Sequence, residues 1–183
     1  MQSSISPKQT GLTLIETLFA LAIVAVLVGF ASNSVSAAMQ AAHSSNGLSS
    51  LIAALTRARS SAATLGVDVV LCPSSDGSNC TAGDHWENGW IAFAATQPGS
   101  DRIGDEPILL RQEALAPKLH LVTSAGRTRI RFQPSGSNAG SNATFTLCDG
   151  RGPAKASAYA MSNAGNLRAT TPEADRIAAA CAQ

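Results

Sequence analysis

The chain has 183 residues, with 13 basic and 12 acidic side chains, and 45% of the residues are hydrophobic while only 4% are aromatic. This composition is typical of a globular protein and excludes the disordered and fibrous classes. The length suits one domain with a real core plus an attached element, and it excludes two large domains.

Charge is distributed unevenly along the chain, although the formal net charge is only +1. The segment 68–106 carries seven acids and one base, and the segment 111–131 carries five bases and one acid. A basic strip on a nearly neutral protein is one form that an anion or nucleic-acid site takes.

The N-terminal segment is long and apolar enough to span a membrane. Residues 12–31 supply about 20 residues of helix, roughly the thickness of a bilayer. One interpretation is a secretory signal peptide that is cleaved near Ser36. Glu16 interrupts the start of its apolar region, and Lys8 is the only base before it. Both features argue against a signal peptide.

A single helix is predicted from about residue 12 to about residue 64. No proline interrupts residues 8–72, so no residue type forces the helix to end at the membrane surface. Apolar residues recur at intervals of three and four in the second half, at Leu48, Leu51, Ile52, Leu55, Ala58, Ala62 and Leu65. We therefore expect the first half to lie in lipid and the second half to form the spine of a soluble domain.

The start of this helix, Gly11-Leu-Thr-Leu-Ile-Glu16, resembles the class III prepilin motif of type IV pilins and type II secretion pseudopilins. The resemblance implies that a prepilin peptidase cuts between Gly11 and Leu12 and methylates the new N-terminus. It also implies that Glu16 pairs with the amine of a neighbouring subunit, which matters because an unmatched charge in lipid is costly. Leu12 replaces the commoner phenylalanine, and Asn33 stands where many major pilins have a helix-kinking proline.

The chain contains four cysteines, and all of them follow the apolar segment, at Cys72, Cys80, Cys148 and Cys181. An even number in this position fits an oxidising compartment such as a bacterial periplasm. A zinc site usually needs closer pairs of ligands. Disulfides are therefore the preferred interpretation.

Seven strands are predicted after the helix, separated by turn-rich stretches, at residues 67–72, 90–94, 107–111, 118–123, 127–132, 143–149 and 157–162. A helix followed by consecutive strands indicates the α+β class, with an antiparallel sheet packed on the apolar stripe of the helix. Trp86, Trp90 and Phe93 are expected to pack in the core rather than to form a ligand cage.

A second resemblance extends over most of the chain. The segments Leu71-Cys-Pro-Ser-Ser-Asp-Gly-Ser-Asn-Cys80 and Trp86-x-x-Gly-Trp90-x-x-Phe93, together with Phe145-Thr-Leu-Cys148, are similar to the minor pilins of the GspH/FimT/FimU group. The resemblance implies the pilin fold. Cys72 is then expected to pair with Cys80, and Cys148 with Cys181, which tethers the C-terminal tail.

No catalytic residue, metal site or cofactor is predicted. The three histidines, His43, His85 and His120, lie far apart in sequence, and the chain lacks a Walker loop, an H-E-x-x-H motif and a G-x-S-x-G motif. The polar group Asp84, His85 and Glu87 is expected to be solvated rather than to bind a metal.

DNA binding is the alternative that the basic residues raise. Some FimT-type pilins bind DNA through a Gly-Arg-x-Arg motif near the C-terminus, and the matching stretch here ends at Arg168, with Asn166 in place of the first arginine. Arg127, Arg129 and Arg131 are predicted to project from one face of a strand, where they would give salt-sensitive binding to double-stranded DNA. The preferred alternative is a solvated strand face whose arginines pair with the acidic segment.

These observations predict a leader peptide at 1–11, a transmembrane and filament-core helix half at 12–35, an amphipathic half at 36–65 and a β-rich periplasmic domain at 66–183. The predicted protein is a minor pilin, anchored once in the bacterial inner membrane, that acts with other minor pilins and filament subunits at the pilus tip or in initiation. The alternatives are a DNA receptor for uptake and a type II secretion pseudopilin.

Overall fold

The computed structural model describes residues 11–96, 106–138 and 140–182. The chain forms two compact units, Met1–Ala38 and Met39–Gln183. Helix α1, Leu14–Leu65, contributes its first part to one unit and its second part to the other. The expected leader lies outside the described residues except for Gly11.

Helix α1 begins with a polar first turn. Thr13 stands immediately before the helix, and its hydroxyl accepts a hydrogen bond from the backbone amide of Glu16 at 3.4 Å. A threonine followed three residues later by a glutamate is the sequence pattern of a capping box. A carboxylate in the first turn also faces the positive end of the helix dipole. Glu16 therefore stabilises the start of the helix, independently of the surroundings of the helix.

The second part of α1 carries the apolar stripe that the sequence predicts. Its buried members lie at intervals of three and four, at Leu51, Leu55, Ala58 and Ala62. Two residues of the predicted stripe lie outside it, because Ile52 and Leu65 are 40% and 51% exposed. The helix ends at Leu65, and Gly66 takes a positive φ of 69° and donates its amide to the Ala62 carbonyl at 3.0 Å, as a glycine after a helix often does.

Two four-stranded antiparallel sheets follow the helix, where one sheet was predicted. The first sheet has the order β3-β2-β1-β5 and the second has the order β4-β6-β7-β8. The strands are β1 Asp68–Pro73, β2 Trp90–Ala95, β3 Ile108–Gln112, β4 His120–Thr123, β5 Ile130–Phe132, β6 Ala143–Cys148, β7 Ser157–Met161 and β8 Leu167–Thr170. A short 3₁₀ helix spans Pro153–Lys155, and helix α2 spans Ala174–Cys181.

The predicted strand at 127–132 was too long. A turn precedes β5, in which Arg127 donates its amide to the Ser124 carbonyl and Gly126 has a φ of 77°. Pairing with β1 is confined to three residues of each strand. Arg127 and Arg129 consequently precede the strand, and only Arg131 lies in it.

The core lies on the inner faces of the two sheets and on the stripe of α1. Trp86, Trp90 and Phe145 are fully buried at its centre. The Trp86 and Phe145 rings meet edge to face with centroids 5.6 Å apart, a favourable geometry for aromatic rings. The prediction of core packing for the tryptophans is confirmed. Phe93 packs on the other face of the first sheet, with Val70 and Ile91.

Two disulfides fasten the ends of this domain. Cys72 is bonded to Cys80 and closes a short loop after β1. Cys148 is bonded to Cys181 and holds α2 against β6. Both pairings are those expected from the sequence.

The tryptophan motif contains a position that only glycine fits. Gly89 has a φ of 107°, and a Cβ there would lie 2.5 Å from the Gln112 carbonyl oxygen and 3.0 Å from the Ser74 carbonyl oxygen. Gly83 has a similar φ of 119°, but nothing lies within 4 Å of its Cβ position. An alanine at position 83 would therefore suffer backbone strain alone, whereas an alanine at position 89 would also clash with two carbonyl oxygens.

We expect Gly83→Ala to lower the free energy of unfolding by about 1–3 kcal/mol, from φ strain alone. Gly89→Ala should cost at least about 1 kcal/mol more, because two backbone oxygens must also move. Urea unfolding followed by the fluorescence of the buried tryptophans measures both values. Equal losses at the two positions would contradict the steric account.

Candidate functional site

The expected processing site lies outside regular secondary structure. Gly11 and Leu12 precede the first turn of α1, and both are exposed. Nothing lies within 4 Å of a Cβ position at Gly11. The peptide bond between them is therefore open to a peptidase, since no helical hydrogen bond has to break first.

The first part of α1 exposes an apolar surface that no described residue of its own unit covers. An 18-residue window of the helix has a mean hydropathy of 2.5 and is 0% buried. Large apolar side chains such as Leu14, Phe19 and Leu27 are 81%, 66% and 61% exposed. Water is a poor solvent for such a surface, and patches of this kind mark membrane or protein contacts. By length and composition, the helix can cross a membrane.

Glu16 is the one acid on this surface. Its carboxylate is exposed and makes no hydrogen bond among the described residues, although its backbone amide is bonded to Thr13. The neighbouring Thr17 hydroxyl donates to the Leu14 carbonyl at 2.7 Å and is thus satisfied within the helix. Glu16 is thus the one charged side chain in this turn. In lipid its charge would be costly without a partner from another molecule.

The structure separates the three clustered arginines. In β5, Arg131 forms an ion pair with Asp68 of β1 at 2.9 Å. Arg127 instead donates to the Asn142 side chain at 3.0 Å. The prediction that Arg127, Arg129 and Arg131 share one strand face is wrong, because the turn at Gly126 ends the extended conformation before β5.

Arg168 lies in β8 and borders an open cleft of about 400 Å³ on the second sheet. The cleft floor contains Ser124, Thr144 and Ala160, which are small residues. Asn142, the partner of Arg127, also lines this cleft. Arg168 thus lines the cleft directly and Arg127 is bonded to a residue of its wall, whereas Arg131 is engaged with Asp68.

Of the stretch Gly165-Asn-Leu that precedes Arg168, Gly165 and Asn166 lie in the turn between β7 and β8, and Leu167 begins β8. Gly165 has a φ of 74° and donates its amide to the Ser162 carbonyl. Its Cβ position lies 3.4 Å from Cδ of Arg59 in α1. The turn therefore packs against the helix, and Asn166 occupies a structural position beside it.

The polar group Asp84, His85 and Glu87 is partly solvated, as expected, and is also tied to the fold. Glu87 accepts hydrogen bonds from the His85 ring and from the Leu121 amide, at 2.9 and 3.2 Å. Asp84 pairs with Arg176 of α2 at 3.5 Å. These contacts fasten the segment to the edge of β4. Among the described residues, no group of three histidine, cysteine or acidic side chains is placed to hold a metal ion.

The loop closed by Cys72 and Cys80 is organised by Asp76. Its carboxylate accepts hydrogen bonds from the Asn79 and Ser78 amides at 2.8 and 2.7 Å. These bonds, with one from the Asn79 side chain, hold the pKa of Asp76 well below its ordinary value. The Asp76 carboxylate therefore stabilises the conformation of this loop.

A second cleft, which no sequence pattern predicts, lies beside the Cys148–Cys181 disulfide. We call it the Lys118 cleft; it holds about 330 Å³ and is lined by Lys118, His120, Cys148, Asp149, Gly150, Gly152 and Cys181. These residues come from three distant segments. Only the glycine pair around Arg151 marks the place in the sequence, and glycine pairs are common in turns.

Asp149 is the buried carboxylate of the Lys118 cleft, with a side chain only 1% exposed. Burial acts to raise its pKa, but hydrogen bonds and charge from Arg151 outweigh burial and hold the pKa below its ordinary value. The Arg151 guanidinium contacts both carboxylate oxygens, with Nη2 2.6 Å from Oδ2. The Asp149 charge is therefore neutralised within the cleft wall.

Comparison with known proteins decides the family. The model of the type II transport protein GspH matches residues 48–165, well over half of the chain. The chain belongs to the GspH family. The prokaryotic N-terminal methylation motif matches residues 6–32, which contain Gly11, Leu12 and Glu16. No curated protein matches this chain.

Solved structures show the same fold for this GspH-family chain. Crystal structures of the type IV minor pilin FimU of Pseudomonas aeruginosa superpose in two crystal forms, with TM-scores of 0.55 and 0.51 and 18% identity. The first covers 70% of this chain and 88% of FimU. The minor pseudopilin EpsH of Vibrio cholerae matches with a TM-score of 0.49 and 16% identity, over 71% of this chain and 98% of EpsH. The expected pilin fold is confirmed.

The GspH family match ends at the turn between β7 and β8. Strand β8 with Arg168, helix α2 and Cys181 follow it. These elements were also absent from the predicted strands. The family match thus ends just before β8, the one strand that the sequence pattern did not predict.

Proposed function

We propose that this chain is a minor pilin of the bacterial inner membrane, which is cut after Gly11 and enters a filament through α1. The observation that carries the proposal is the fully exposed apolar start of α1 with a single carboxylate, Glu16, in its first turn. A surface of this kind needs lipid before assembly and other helices after it. The GspH family and the methylation motif support the same conclusion.

The proposal divides the chain by function. Residues 1–11 form the leader removed by a prepilin peptidase, residues 12–35 anchor the subunit and later pack in the filament core, residues 36–65 support the domain, and residues 66–183 form the exposed domain. Two disulfides in that domain favour the oxidising periplasm as its location.

Glu16 directs assembly in this proposal. A carboxylate at membrane depth costs about 2.5–3.5 kcal/mol on insertion scales. The methylated amine of a neighbouring subunit offsets that cost only when the two helices align along the filament. Pairing therefore selects the register of an incoming subunit, and the rest of the apolar helix supplies contact area.

Two filament machines use subunits of this kind. The tip or initiation complex of a type IV pilus is the role we favour, because the segments 71–80 and 86–93 resemble those of pilus minor pilins. A type II secretion pseudopilus is the alternative, and the family description supports it. Other minor pilins and filament subunits are the partners in both cases.

We expect Glu16→Gln to leave the chain folded, processed and membrane-bound, but to lower its amount in sheared filaments at least about tenfold, since the Gln side chain gives the neighbouring amine no counter-charge. Quantitative immunoblotting of the filament and membrane fractions measures this ratio. Thr17→Val is the matched control, because it removes a polar group from the same turn without removing charge. Normal incorporation of Glu16→Gln would contradict the pairing.

DNA binding by the exposed domain is a second candidate function. The observation that favours it is that Arg168 lines an open cleft whose wall contains Asn142, the hydrogen-bond partner of Arg127. Two guanidinium groups on one surface can contact neighbouring phosphates. Arg131 is excluded from this surface by its ion pair with Asp68.

If this candidate is correct, a gel shift of the full chain in detergent will weaken about tenfold between 50 and 200 mM salt, as expected for two phosphate contacts. The double variant Arg127→Gln, Arg168→Gln should abolish the shift, while Arg131→Gln should leave it unchanged. Absence of a shift at low salt, or an equal loss in Arg131→Gln, would exclude this site.

A further inference from the structure

A further cleft lies between the second part of α1 and the turn that joins β7 to β8. We call it the Arg59 cleft; it holds about 300 Å³ and is lined by Ile52, Leu55, Thr56, Arg59, Gly165, Asn166 and Leu167. All of these residues belong to one compact unit. The volume is at the lower limit for a small-ligand pocket, so the cleft suits a few side chains of a partner.

The Arg59 side chain is held in place by two glycine turns. A Cβ on Gly136 would lie 3.3 Å from Nε of Arg59, and a Cβ on Gly165 would lie 3.4 Å from its Cδ. The Asn138 amide donates to the Asn163 carbonyl at 3.0 Å and so joins the two turns. Arg59 is half-buried between them. Its conformation is therefore preorganised, which lowers the entropy cost of binding a partner.

The guanidinium of Arg59 makes no hydrogen bond and no ion pair with any residue that the structure describes. Arg131 and Arg151, by contrast, are each paired with an acid. The Thr56 hydroxyl and the Asn166 amide also line the cleft, and neither side chain forms a hydrogen bond within the described chain. A positioned guanidinium with unused N–H groups suits a carboxylate, to which it can donate two parallel hydrogen bonds.

Apolar side chains form much of the remaining lining of the cleft. Leu55 is buried and Leu167 is partly buried, whereas Ile52 is 40% exposed. A carboxylate alone would leave this apolar surface in water, but an acidic residue beside a large apolar residue would cover it. Nucleic acid fits less well, because its phosphates need several bases and Arg59 is the one base in the lining. The cleft therefore matches an acidic peptide segment.

The domain of this chain does not itself present such a segment among its described residues. After Val67, no described large apolar side chain is exposed. The exposed acids Glu113, Glu173 and Asp175 therefore have no exposed large apolar neighbour. Two copies that met cleft to cleft would also oppose two arginines, which repel each other. The complementary surface thus belongs to a different protein.

We propose that the Arg59 cleft docks an acidic segment of a different filament subunit. A carboxylate of that segment pairs with Arg59, and an adjacent apolar side chain packs on Ile52 and Leu167. This step rests on the proposed function, which supplies other subunits as partners. Because the cleft belongs to the unit that contains the two sheets, docking joins exposed domains rather than membrane segments. It selects which subunit is the neighbour, whereas Glu16 selects the register of the helices.

Site-specific cross-linking identifies the occupant of the cleft. The photoreactive residue p-benzoylphenylalanine is placed at Ala53, which is exposed and does not line the cleft, in the full chain within cells that assemble the filament. Mass spectrometry then identifies the cross-linked peptide in membranes and in sheared filaments. We expect a segment of another pilin subunit with an acid beside a large apolar residue. A peptide without an acid, a cross-link to nucleic acid, or a product of two copies of this chain would overturn the proposal.

Variants assign the cross-link to the cleft. Arg59→Gln should lower its yield about tenfold, because a charge-assisted pair is lost. Arg57→Gln is the matched control, since Arg57 is an exposed base of the same helix outside the cleft. Asn166→Asp leaves Arg59 and its packing intact but adds a competing carboxylate to the cleft, so it should also lower the yield. It decides the matter if Arg59→Gln fails to fold. An equal loss in Arg57→Gln, or a full yield in Asn166→Asp, would overturn the proposal.

Charge exchange tests direct contact between Arg59 and the acid that the cross-link identifies. Replacement of that acid by Arg should lower the yield about tenfold, and its combination with Arg59→Glu should restore the yield. Failure of the combination to restore it would overturn the pairing. A chain that enters filaments without this cross-link would exclude the docking site alone. A chain that is cross-linked in the membrane but never enters filaments would instead exclude the proposed assembly role.

Discussion

The packing of the second part of α1 on the buried aromatic centre of the domain is the constraint on which the rest of this structure depends. Leu51, Leu55 and Ala62 supply the helix side, and Trp86 and Phe145 fill the space on the inner faces of the two sheets. Residues from the inner faces of both sheets join the stripe of this helix in one buried cluster. Large apolar side chains described in the first part of α1, such as Leu14 and Phe19, are exposed, which leaves them available for lipid and for other subunits.

Much of this arrangement follows from the sequence, because the signals are strong and local. Periodicity and the absence of proline predict the uninterrupted helix and its stripe at Leu51 and Leu55. The approximate positions of the first seven strands also follow from the sequence pattern, as does the burial of the tryptophans. Gly11 and Glu16 are found by a motif rather than by periodicity. The split into two sheets is different in kind, since it depends on which strands pair, and pairing is a long-range property.

The failures of prediction have physical causes. Strand β5 is cut short by the turn at Gly126, which no alternation of arginines reveals. Strand β8 is exposed on both faces beyond Leu167 and therefore carries no alternating pattern. The Lys118 cleft escapes notice because Lys118, Gly150 and Cys181 are brought together only by the fold. A site built from single residues that are distant in sequence leaves no motif in the sequence. The start of α1 is contiguous in sequence and therefore carries a recognisable motif.

The central claim is that the apolar start of α1 is retained in the mature protein and begins at Leu12. The most direct measurement is the intact mass and N-terminal sequence of the chain after co-expression with a prepilin peptidase. The account predicts a chain that begins at Leu12 with a methylated amine and keeps the whole apolar segment. A mature chain that begins near Ala38 would show a removed signal peptide, and it would contradict both the membrane anchor and the role of Glu16.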